Sequence, residues 1–153
     1  MSVYDVDKLM LEARKLAAQY RIATGKPLGI SSEIALHDVI RIMDLKPVDA
    51  IGYDAIGKGP REGQRIQIKG RTVSDDPKAN ERIGQVKVDQ EWDSVMLVLM
   101  NEHYEPLEIY EAQREQILQA VANTSTKRRN RGALSVAKFK YIGQLVWSAE
   151  LPQ

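Results

Sequence analysis

The sequence predicts a mixed α/β fold, a central mixed sheet with helices on its faces. Three observations lead there. Val6, Leu9, Met10, Ala13, Leu16, Ala17 and Tyr20 recur at three- and four-residue steps, the period of an amphipathic helix over residues 5–23. Val95 to Met100 is apolar without a break, which suits a strand covered on both faces. Around them, short apolar runs and further helical segments follow the order helix, helix, strands, helix, helix, strand. At 153 residues the chain is read as one domain, 1–153, large enough to bury a core.

The elements follow in order. Thr24-Gly25-Lys26-Pro27 stops the first helix. A second begins near Ser31, an expected N-cap, and runs to Met43 with Leu36, Val39, Ile40 and Met43 as its apolar face. Residues 48–56 hold a first strand, bent near Gly52. Gly57 to Gly63, with Pro60 between, reads as a turn. Arg65 to Lys69 is a second strand, Thr72 to Asn80 a loop, and Ile83 to Val88 a short strand. Val95 to Met100 turns at Asn101–Tyr104 and pairs back through Leu107 to Tyr110. Glu111 to Ala122 reads as a helix with Ile117, Leu118 and Val121 inward. Ser135 caps a last short helix that Gly143 ends, and Leu145 to Trp147 closes the chain's strands. Trp92, Trp147 and Tyr141 are expected in the core or at a subunit contact, and Met96 and Met100 in the core.

Composition narrows the function classes. With 43% hydrophobic and 28% charged residues the chain is ordinary for a globular protein, and a net charge of +1 names no partner. Any nucleic-acid surface therefore has to come from local clustering. The absence of cysteine excludes disulfides, thiolate metal sites and a cysteine nucleophile. Two isolated histidines, His37 and His103, do not make a structural zinc site. No apolar run reaches membrane-spanning length and the N-terminus lacks a signal-peptide layout, so a cytoplasmic location is expected.

The chemistry concentrates in two runs, Gly52-Tyr53-Asp54-Ala55-Ile56 and Ile66-Gln67-Ile68-Lys69-Gly70. Side chains on a strand alternate, so Gln67 and Lys69 point one way while Ile66 and Ile68 point the other. If the runs pair, Asp54, Gln67 and Lys69 converge. Each residue also has a plainer reading. Aspartate often starts a turn, and a Gln/Lys row with Arg65 can be the wet face of an edge strand. Gly52 and Gly70 weigh the other way, since glycine inside a strand pattern marks a bulge or a close backbone approach. Glu33 falls near the apolar face of its helix, although by spacing alone a first-turn carboxylate at the helix dipole is the better account. His37, one turn later, reads as a partly buried flank residue.

A helix carboxylate, then Gly-x-Asp at a strand end, then Gln-x-Lys on the next strand, resembles the PD-(D/E)xK nuclease superfamily, and the glutamine variant is similar to that of Mrr-type restriction endonucleases. The likeness covers Ser31 to Arg71. It implies a restriction endonuclease-like three-layer α/β/α fold with a core order of helix, three strands, helix, strand, plus an extra N-terminal helix and an extra hairpin. It implies a metal-dependent endonuclease hydrolysing DNA phosphodiester bonds with Mg2+ or Mn2+. Asp54 would be the main metal ligand and Gln67 would bind through its amide oxygen in place of the second acid. Lys69 would orient the attacking water or neutralise the phosphorane, and Glu33 would hold a metal-bound water. Two departures stand out: Tyr53, not proline, precedes Asp54, and Gln67 carries no charge. The alternative is a catalytically inactive domain of the same scaffold that binds nucleic acid or protein.

The basic run Lys127, Arg128, Arg129 and Arg131 suits contact with the phosphate backbone of DNA, with Lys138 on the following helix and Arg71 past the strand as further cations. A solvated loop explains the run equally well. A protein this small, with no separate recognition module, is expected to act as a homodimer or as a subunit of a larger complex.

Overall fold

The structure is a computed structural model and describes residues 5–73, 82–122 and 133–150. Helix α1 spans Val6–Thr24. The Asp5 carboxylate caps it by accepting the Asp7 amide at 2.9 Å, and Gly25 ends it in the left-handed region at φ 70°. Helix α2 spans Ser31–Met43. Ser31 is its first residue and not its cap; Ile30 takes that position and no side chain bonds there.

Six strands form the main sheet: β1 (Lys46–Pro47), β2 (Ala55–Ile56), β3 (Arg65–Thr72), β5 (Ser94–Met100), β6 (Pro106–Gln113) and β8 (Gln144–Ser148), in the order β1-β2-β3-β5-β6-β8. Strands β4 (Arg82–Gln85) and β7 (Ala133–Ser135) pair in a separate small sheet. Helix α3 spans Arg114–Ala122 and α4 spans Val136–Ile142, the latter capped by Ser135 accepting the Lys138 amide. The sheet is mixed: β3 and β5 run parallel, and the other pairings are antiparallel. The connection from β3 to β5 carries β4 and, among the described residues, no helix.

Alternation along the sheet sorts the core into two layers. Ile66, Met96, Val98 and Met100 pack with Ala17, Ile34, Ala35 and Val39, so α1 and α2 cover one face. Val95, Leu97, Leu99 and Ala112 pack with Ile117, Val121, Leu134 and Phe139, so α3, α4 and the small sheet cover the other. Every residue of β5 is buried, as its unbroken apolar run requires. Gly70 faces α2, where a Cβ would collide with that of Ala35 and lie 3.3 Å from the Met100 methyl. This close approach explains the glycine within the strand pattern.

Several elements differ from the sequence reading. The strand expected over 48–56 shrinks to β2, because Gly52 at φ 95° takes the preceding chain out of extended geometry. Residues 111–113 belong to β6, and the helix starts only at Arg114. The inner face of α2 is Ile34, Ala35, Asp38 and Val39. Asp38 is fully buried and answered by Arg14, which bonds both carboxylate oxygens at 2.8 and 3.0 Å and also donates to the Tyr104 carbonyl. Trp92 is fully buried, but Tyr141 is 83% exposed and is no core residue. No helix among the described residues is long and apolar enough to cross a membrane.

Candidate functional site

The site forms where strand pairing stops. β2 pairs with β3 only through Ala55 with Ile66 and Ile56 with Arg65. The next position on that side of β3, the amide of Ile68, has no strand to meet. The Asp54 side chain takes its place and accepts the Ile68 N–H at 2.8 Å, while the Asp54 amide donates to the Ile66 carbonyl at 2.8 Å. Ile68 lies between Gln67 and Lys69, so this bond fixes the carboxylate against the backbone of the Gln-x-Lys run.

Gln67 and Lys69 share the face opposite Ile66 and Gly70, as alternation requires. Gln67 is only 5% exposed. Its amide nitrogen donates to the Gly52 carbonyl at 2.8 Å, which fixes the orientation of the amide. Its amide oxygen is buried and accepts no hydrogen bond from the described residues. Gly52 is required by its positive φ and by space, since a Cβ there would stand 2.7 Å from that of Gln90. An unanswered buried acceptor costs roughly 1–3 kcal/mol, so this oxygen marks a place where folding alone does not account for the residue.

Lys69 is half-buried and makes no hydrogen bond or ion pair with the described residues. Burial pushes its ammonium below the ordinary lysine range and Arg71 adds to this; Asp54 opposes the shift, and Lys87 lowers it further. Asp54, Gln67, Lys69 and Lys87 line one concavity of about 370 Å³ with the segment from Ala50 to Tyr53 and Ile68. Lys87 is the residue the sequence reading missed. Nothing marks it in the sequence beyond its place between Val86 and Val88.

Glu33 is not brought to this concavity. It is exposed in the first turn of α2, and α2 covers the opposite face of the sheet. The geometry agrees with the plainer first-turn account. His37 is likewise elsewhere, bonded through Nε2 to Asp7 at 3.0 Å. Arg71 donates to the carbonyls of Arg82 and Gly70, both at 2.6 Å, and so ties β3 to β4. Lys138 lines a separate concavity between α3 and α4, with its ammonium 5.5 Å from the Tyr141 ring centroid. Lys127, Arg128, Arg129 and Arg131 lie outside the described residues.

The donor set fits a hard divalent cation only sparingly. No group of three or more His, Asp or Glu residues able to hold a metal occurs among the described residues. Asp54 and the free amide oxygen of Gln67 supply two oxygen donors, and magnesium commonly takes one or two carboxylates with water and substrate phosphate completing its shell. Two oxygens, one of them orphaned, are compatible with that pattern and with little more. Compared with known proteins, the chain matches no family model and no curated protein.

Proposed function

We propose that this concavity is a phosphodiester-hydrolysing site of the restriction endonuclease-like type, acting on DNA with Mg2+ or Mn2+. One observation carries the reading: Asp54 bonds the amide between Gln67 and Lys69, so carboxylate, an amide oxygen unpaired among the described residues, and half-buried ammonium open into one concavity. Helix α2 followed by the three strands β1, β2 and β3 supports the fold assignment, with one departure, the missing helix between β3 and β5 among the described residues.

Asp54 and Gln67 would hold the cation, without Glu33. Bound there, a divalent ion supplies Lewis-acid polarisation of the scissile phosphate. The chain's own residues do the rest. Lys69 donates from Nζ to a non-bridging phosphate oxygen or to the attacking water, and its partial burial strengthens that donor by excluding competing solvent. The Gln67 amide, held by Gly52, keeps its oxygen aimed without reorganisation.

A second reading has its own support. The concavity holds two lysines against one carboxylate, a balance that favours binding an anion over holding a cation. A nucleic-acid-binding domain without catalysis would look the same. Incubation with plasmid and single-stranded DNA in magnesium and in manganese separates the two. Cleavage is expected from the wild type and not from Lys69→Ala or Asp54→Asn. Cutting that survives in both variants, or no cutting of any substrate in either metal, sinks the nuclease reading.

A further inference from the structure

We propose that Lys87 is a phosphate-binding residue of this site, contributed by a segment of the chain outside the Gln-x-Lys constellation, and that it seats a phosphate of the nucleic-acid backbone beside Lys69. The inference rests on the nuclease-like reading of the concavity and names a second cation for its ligand.

Lys87 lines the concavity, and its ammonium meets no carboxylate among the described residues. The segment that presents it is held by design of the fold. The Trp92 indole donates to the Lys87 carbonyl at 2.7 Å, and the Gln90 amide donates to the same oxygen at 3.0 Å. Arg114, the first residue of α3, donates to the carbonyls of Val88, Gln90 and Trp92 at 2.9 to 3.1 Å. Its guanidinium also lies 4.6 Å from the Trp92 ring centroid, within cation–π range. Trp92 is fully buried and Gly52 packs against Gln90, so the segment is locked to the core on one side and to the Asp54 loop on the other.

A lysine on a flexible loop would be an ordinary solvated charge. Here four backbone carbonyls are tied down around one exposed lysine at the rim of a concavity that already contains the Lys69 ammonium, unpaired among the described residues. A phosphate with two non-bridging oxygens offers each ammonium an acceptor, and among the described residues that line the site Asp54 is the one acidic group to compete for them.

The test is binding of the full chain to a labelled DNA duplex by fluorescence anisotropy in EDTA, where cleavage is off, across about 50 to 200 mM salt. Each phosphate contact adds about 0.9 to the slope of log affinity against log salt, which over that range is roughly a threefold to fourfold change in affinity. Lys87→Ala is expected to lower the slope by about one such contact. Lys87→Arg should keep it, and Lys15→Ala, an exposed lysine on α1, should leave it unchanged. An unaltered slope in Lys87→Ala, or an equal drop in Lys15→Ala, overturns the proposal. So does displacement of DNA by inorganic phosphate with the slope indifferent to Lys87, which would assign the seat to a free anion. Metal-dependent cleavage with an unaltered Lys87→Ala slope refutes this inference and leaves the nuclease reading standing. Lys87-dependent binding without cleavage does the reverse.

Discussion

Replacing Gln67 with methionine should leave stability nearly unchanged while removing the divalent-ion binding proposed above. Two opposed effects produce this. Losing the amide nitrogen strips the Gly52 carbonyl of its 2.8 Å partner, which costs roughly 1–3 kcal/mol. Losing the amide oxygen removes a buried acceptor that has no donor among the described residues, which returns roughly 1–3 kcal/mol. Methionine fills a similar volume, so packing changes little. The net should lie within about 1 kcal/mol, or roughly 2–4 °C in a chain of this size. Gln67→Glu is the contrasting change. It also loses the bond to Gly52 and sets a buried carboxylate against that carbonyl, so in EDTA it should fall by roughly 2–4 kcal/mol. Excess manganese should return part of this loss, about 2.7 kcal/mol at a hundredfold over Kd. Thermal unfolding of the three proteins in EDTA and in manganese makes the comparison. If Gln67→Met loses more than about 3 kcal/mol, the oxygen is not the liability described. If Gln67→Glu gains nothing from manganese, the two oxygens do not form a cation site.

Other outcomes follow from the same geometry. Gly70→Ala drives a methyl into Ala35 and should cost about 1–3 kcal/mol by chemical denaturation, with Ala35→Gly in the same chain recovering part of it despite the helix penalty of glycine. Arg14→Met leaves the fully buried Asp38 carboxylate, among the described residues, with only Arg41 at 4.0 Å, and should lose about 3–5 kcal/mol in urea; adding Asp38→Leu should restore most of this. Lys69 titrates lower folded than unfolded, so between its folded value and the ordinary 10.5 the unfolded chain holds more protons and stability rises with pH. Lys69→Met should therefore exceed the wild type in stability at neutral pH, by a margin that shrinks as pH climbs through that window; a constant margin would contradict it. Arg114→Ala should speed amide hydrogen exchange at residues 87–92 well above that of β5, because three carbonyls lose their donor together.

The parts of the fold set by local periodicity were legible. The span Ser31–Met43, the buried β5, the Ser135 cap and the Gly143 stop are all short-range patterns. So was the shared direction of Gln67 and Lys69, which needs only the two-residue repeat of a strand. What escaped depends on partners far along the chain. Asp38 lies beyond any short-range pattern because its answer, Arg14, lies 24 residues earlier on another helix. Glu33 has the right order in sequence for a site residue, yet sequence order does not say which face of the sheet a helix covers. Lys87 reaches the concavity only because Trp92 and Arg114 hold its segment there, and neither residue advertises that role. The seven-residue stretch before β2 was misjudged for a simpler reason, one glycine at positive φ.

The bond from Asp54 to the Ile68 amide has an evolutionary implication. Asp54 stands in for a missing strand residue, so the sheet needs an acceptor there whether or not any chemistry takes place. Lys69 has no comparable duty to the fold and bears a penalty for its burial. In a lineage that abandoned catalysis, selection would therefore release Lys69 first and keep Asp54, or an asparagine in its place, long afterwards. If the proposed site is catalytic, the lysine and not the aspartate is the residue whose persistence would report it.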